Sequence, residues 1–237
     1  MSENQTKKAF DAAIWNGIGL LIAQIINFVF GIILARLLDP KEYGLLSMAM
    51  IFNGISLVFI DGGFNTALIR KKKLLSIDLA TVFTFNITVS FFVYIIIFIL
   101  APQIAYFFNQ KELTLLIRIL SIGLIISGFG SIYNILLIKK LDYRTQSIIT
   151  IFSVVISGIT GIVMAYRGFG IWSLVIQFLL QQIIWLVMLM RQNLWKPIVL
   201  FSISSFKEMF SFGAKMMISA FLYQLFNQAY PAIIGKL

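Results

Sequence analysis

The side chains of this chain that could do chemistry are few, and most sit inside long apolar runs. Gln24 and Asn27 lie near the middle of Trp15 to Leu38, a stretch with no charge before Arg36. Spaced i,i+3, they share one face of a helix. Gln177 and Gln181 stand at i,i+4, again on one face, and Gln224 and Asn227 repeat the i,i+3 pair. Asn53 and Asp61 are eight residues apart, about 80° around a helix. Arg118 and Lys215 place cations within apolar runs, and Arg70, Lys71, Lys72 and Lys73 form a basic cluster in a gap between runs. Such groups can hydrogen-bond and hold charge. They do not assemble a nucleophile with a base, a metal cluster or a phosphate loop. With no cysteine and no histidine, disulfides, thiolate metal sites, thiol nucleophiles and imidazole bases are excluded. No cofactor and no metal are expected.

The elements that must carry these residues are transmembrane helices. The chain has 237 residues, of which 60% are hydrophobic and 12% charged, against about a quarter charged in a soluble domain. Seven apolar runs are expected to span: Trp15–Leu38, Tyr43–Ile60, Ala80–Ala101, Leu113–Ile138, Ser147–Tyr166, Ile171–Met190 and roughly Phe210–Ile234. The third is expected to stop at Pro102. Arg167-Gly168-Phe169-Gly170 is a tight turn, and a polar link runs from Arg191 to Lys207. Continuous rather than alternating apolarity argues for an all-α polytopic bundle and against an outer-membrane barrel. Lys7-Lys8 starts like a signal peptide, but the run behind it is too long and lacks a small-residue exit, so it reads as a retained first span.

Lys and Arg set the orientation. Lys7, Lys8, Arg70 to Lys73, Lys139, Lys140, Arg144, Arg191, Lys196 and Lys207 fall on one side. Only Arg36, Lys41, Lys111, Arg118 and Arg167 fall on the other. The bias predicts a multi-pass protein of the cell membrane with a cytoplasmic amino terminus. The net charge of +10 resides in short gaps between spans, which fits topology rather than nucleic-acid binding.

An offset of 200 residues brings the first span onto the last. Gln24, Asn27, Ile18, Ile33 and Leu37 fall on Gln224, Asn227, Ile218, Ile233 and Leu237, with Arg36 on Lys236. Six spans separate the copies, so both cross in the same direction, as in a parallel repeat of six-helix lobes. The expected division is a six-helix lobe over residues 1–207 and the first helix of a second lobe over 208–237. The chain then reads as the front half of a larger protein.

Two stretches carry a family resemblance. Leu34-Ala35-Arg36-Leu37-Leu38-Asp39-Pro40-Lys41-Glu42-Tyr43-Gly44 and Asp61-Gly62-Gly63-Phe64-Asn65-Thr66-Ala67-Leu68-Ile69-Arg70 resemble bacterial polysaccharide flippases. These are the O-antigen and capsule exporters of the multidrug/oligosaccharidyl-lipid/polysaccharide superfamily. Gly168-Phe169-Gly170-Ile171-Trp172-Ser173-Leu174 and Phe212-Gly213 are similar too. The resemblance implies a flippase of 12 to 14 helices moving undecaprenyl-diphosphate-linked oligosaccharide outward by alternating access. It also implies a coupling ion, proton or sodium, and polysaccharide polymerases as partners beside the membrane lipids.

On that expectation each polar group has two readings. Gln24, Asn27, Gln224 and Asn227 either bind sugar hydroxyls in a wet cavity or join helix to helix. Asn53 and Asp61 either meet substrate or ion, or Asp61 merely ends a helix before two glycines. Arg118 and Lys215 either line a path for an anionic head group or snorkel. Arg70 to Lys73 either receive the lipid diphosphate where it enters or only set topology. Gln177 and Gln181, the threonines 81, 84 and 88, the stripe Thr150, Ser153 and Ser157, and the stripe Gly123, Ser127 and Ser131 read mainly as packing faces. Three rivals are carried. A multidrug exporter of the same fold would need an acidic cavity. A polymerase or acyltransferase would need a long catalytic loop. The last is a non-working truncated half.

Overall fold

A computed structural model describes the backbone of residues 3–192 and 194–234, with side chains over 10–192 and 194–227. These residues form nine helices: α1 Glu3–Leu37, α2 Pro40–Asp61, α3 Phe64–Arg70, α4 Ser76–Phe107, α5 Leu113–Leu120, α6 Ile122–Lys139, α7 Tyr143–Tyr166, α8 Ile171–Arg191 and α9 Ile203–Ile234. Taking α5 with α6, seven helical stretches are long and apolar enough to cross a membrane, as expected. No strand occurs among the described residues. The chain is an all-α polytopic membrane protein.

Several helices start before the apolar runs, α1 most of all, at Glu3 instead of Trp15, and three further differences stand out. The third span runs through Pro102 to Phe107 instead of stopping before it. Proline removes one intrahelical bond but ends a membrane helix only if nothing else satisfies the freed carbonyl. The fourth span is broken at Ser121, whose hydroxyl donates back to the Ile117 carbonyl at 2.6 Å. The last helix begins at Ile203, seven residues before the apolar run.

The chain folds as two compact units. The first comprises Met1–Asp39 and Tyr133–Trp195, with α7 packed on both α1 and α8. Close packing here follows from small residues. The Gly158 backbone lies against the Phe30 ring, leaving no room for a Cβ. The Ser147 hydroxyl reaches the Trp15 carbonyl at 3.1 Å. Thr150, Ser153 and Ser157 bond to carbonyls of their own helix, so they leave α7 a small, satisfied surface. Tyr133, Leu137, Ile149 and Leu189 form the buried core.

The second unit comprises Pro40–Ile132 and Lys196–Leu237. Its centre is Phe64, fully buried against the rings of Phe85, Phe206 and Phe210. The chain enters that cluster through Gly62 and Gly63, at φ 54° and 72°, a left-handed turn that glycine adopts without steric cost. The Gly63 backbone also closes directly on that of Gly213 in α9. In α4, Thr81 and Thr84 serve the extended link before α9: Ser202 N–H donates to Thr81 at 3.1 Å, and Thr84 donates to the Leu200 carbonyl at 3.1 Å. Asn86 donates to Ser131 of α6 at 2.8 Å, a side-chain bond between spans.

Candidate functional site

The polar residues singled out in the sequence fall into three groups: spent on packing, held in ion pairs, or left open. In the first unit, Gln177 is half-buried and pressed against Gly161, so it joins α8 to α7. Gln181, one turn on, is half-buried. Gln24 and Asn27 are exposed on α1 and have no hydrogen-bond partner among the described residues.

In the second unit, Arg118 is engaged. Its Nε donates to the Phe98 carbonyl at 3.2 Å, and its guanidinium lies 4.2 Å from the Phe98 ring centre. Lys215 and Asn227 on α9 are exposed, and Gln224 is half-buried. Asn53 is 4% exposed, and both atoms of its amide lack a partner. Burying an amide without hydrogen bonds costs on the order of 1–3 kcal/mol, so this is an unspent group in the body of a span. Asp61 faces the backbone N–H groups of Gly63 and Asn65, which accounts for it as the cap of the α2–α3 corner. Its Oδ1 atom still has no partner.

The basic cluster splits. Lys71 bridges two carboxylates, Glu208 at 2.8 Å and Asp78 at 3.1 Å, and so ties the loop after α3 to α9 and α4. The Asp78 side chain is fully buried and also accepts the Leu75 N–H at 3.1 Å, closing the first turn of α4. The bond from Glu208, reinforced by Asp78, holds the Lys71 ammonium above the usual lysine range. Arg70 lies 4.3 Å from the centre of the Phe212 ring. Arg70 and Lys71 line a cavity of about 290 Å³ with Ala67, Glu208, Met209 and Phe212. Lys72 and Lys73 are exposed. Sequence reasoning missed Asp78 and Glu208. The only signal was an acid on either side of the basic run, and nothing local shows that Glu208 returns to it from 137 residues away.

Among the described residues, no group of three or more His, Asp or Glu could hold a metal. What the arrangement offers is hydrogen bonding and charge on helices of membrane length. A family described as polysaccharide biosynthesis protein matches residues 33–237. The chain belongs to that family. This is the group that the motifs around Asp39-Pro40 and Asp61-Gly62-Gly63 resemble. The chain is similar to the teichuronic acid biosynthesis protein TuaB of Bacillus subtilis, at 29% identity over 98% of this chain and 48% of TuaB. It is similar to the succinoglycan biosynthesis transport protein ExoT of Rhizobium meliloti, at 25% identity over 79% of this chain and 38% of that protein. A third relative is the lipopolysaccharide biosynthesis protein WzxC of Escherichia coli, at 25% identity over 65% of this chain and 31% of that protein. The chain thus spans about half the length, or less, of the curated relatives it matches. No solved structure matches it.

Proposed function

We propose that this chain supplies one lobe of a flippase that carries undecaprenyl-diphosphate-linked oligosaccharide across the cytoplasmic membrane for surface polysaccharide synthesis. The observation that carries the reading is the exposure of Gln24 and Asn27 on α1 and of Lys215 and Asn227 on α9, within stretches of membrane length. Such groups facing lipid are costly, whereas a water-filled path uses them. The spans of α1 and α9 are also the least buried of the seven, at 17% and 11%. Within its own unit, each is therefore the helix whose polar side chains are least taken up by protein packing. Gln224 joins them on the α9 face, and in α2 Asn53 adds an unpartnered amide and Asp61 one unpartnered carboxylate oxygen. Amides suit sugar hydroxyls because each offers donors and acceptors together. Exposed Lys72 and Lys73, with Arg70, suit the diphosphate at the cytoplasmic face, the side that the lysine and arginine bias favours for them. In this reading the chain performs no bond chemistry and an ion gradient supplies the work.

The test uses the absence of native cysteine. Asn27→Cys and Asn227→Cys should react with a membrane-impermeant thiol reagent, and substrate should slow the reaction. Inertness of both to the reagent, with a lipid-facing control equally inert, contradicts a wet path.

A further inference from the structure

Pro102 lies inside α4, which continues unbroken to Phe107. An interior proline has no N–H to give to the carbonyl four residues earlier, which here is that of Phe98. In hydrocarbon no water can take its place. Arg118, from the next helix in the chain, donates its Nε to that very oxygen at 3.2 Å and lays its guanidinium on the same residue's ring at 4.2 Å. Gln103 stitches the break from the other side. With its amide nitrogen turned toward the helix, it reaches the Ile99 carbonyl at 2.9 Å and the Leu100 carbonyl at 3.0 Å. No carboxylate pairs with Arg118 among the described residues.

We infer that Arg118 is a positioning residue: it replaces the hydrogen bond that Pro102 withholds and clamps the outer segment of α4 to α5. An arginine suits this because its Nε–H is fixed in the guanidinium plane while the planar face stacks on an aromatic ring. The clamp also sets the spacing of the walls of a cavity of about 410 Å³. That cavity is lined by Pro102, Ala105 and Tyr106 from α4, Asn109, Gln110 and Lys111 from the turn, and Thr114 from α5. A cation that would otherwise read as part of an anion path is accounted for by the neighbouring proline.

The experiment is a double-mutant cycle on the membrane-reconstituted protein, and its stability arm is independent of the transport reading. Arg118→Ala should lower the thermal midpoint by about 3 °C, the scale expected for one interaction in a chain of this size. Pro102→Ala restores the missing N–H, so Arg118→Ala in that background should cost less than half as much. A disulfide trap supplies a readout in native membranes that survives a purification failure. Formation between Ala105→Cys and Thr114→Cys should slow with Arg118→Ala and recover when Pro102→Ala is added. Equal losses in both backgrounds, or no loss on Arg118→Ala, overturn the clamp.

Discussion

At the scale of single residues, the useful distinction is between polar groups the fold has used and those it has left over. Asp78 is used. Its buried carboxylate holds both the Leu75 N–H and Lys71, so Asp78→Ala should destabilise the protein by about 2–3 kcal/mol, measured by thermal unfolding in detergent. Glu208, more than half exposed, should matter far less on substitution, within about 1 kcal/mol. Because Lys71 is held above its ordinary range, the stability it contributes is complete below the unfolded lysine value. That contribution is lost only as pH rises through the folded one. Unfolding midpoints should therefore show no Lys71-dependent change around neutrality. A Lys71→Met variant should differ from the parent by less as the solution becomes strongly alkaline. Asn53 is left over. Replacing an unpartnered buried amide by an apolar side chain of similar size removes an unmet hydrogen-bonding need. Asn53→Leu should thus unfold at the same temperature or higher while losing glycolipid transport. Loss of stability with transport retained would show the amide to be structural.

At the scale of elements, the α2–α3 corner makes the sharpest prediction. Gly63 and Gly168 share a left-handed φ, 72° and 79°, but a Cβ on Gly63 would meet the Gly213 backbone whereas one on Gly168 meets nothing. Gly168→Ala should cost about 1 kcal/mol, the conformational term alone. Gly63→Ala should cost clearly more and should detach the start of α9, which protease sensitivity near Phe212 would report.

The elements themselves were largely legible in the sequence. Continuous apolar runs of about 20 residues have few outcomes, and the positions of the seven membrane-length stretches follow from them. What was not legible depended on contacts made at a distance. Whether Pro102 ends a helix depends on whether Arg118 reaches the Phe98 carbonyl. Whether Thr81 and Thr84 form a packing stripe depends on an extended link that passes them more than a hundred residues later. Gln177 read mainly as part of a packing face, and its side chain lies against Gly161. The basic cluster read as a unit because its residues are adjacent, but ion pairing makes Lys71 a tether and leaves Lys72 and Lys73 exposed.

At the scale of the whole molecule, helices carrying polar side chains toward an aqueous path form, on this proposal, part of a carrier for lipid-linked sugar. Orientation is the first consequence. Single cysteines at Lys72 and Lys140 should label only from the cytoplasmic side, and one at Lys111 only from outside, in intact cells and inverted vesicles. The opposite pattern would reverse the assignment of the basic cluster to the cytoplasmic diphosphate. The most direct measurement is translocation itself. Proteoliposomes holding the complete carrier in which this chain is one lobe, loaded with fluorescent undecaprenyl-diphosphate oligosaccharide and energised by an ion gradient, should expose the sugar to a quencher or glycosidase on the far side. They should do so faster than empty liposomes, and Asn27→Ala with Asn227→Ala should slow it. A rate equal to that of empty liposomes, from protein shown to be folded and correctly oriented, would contradict the account.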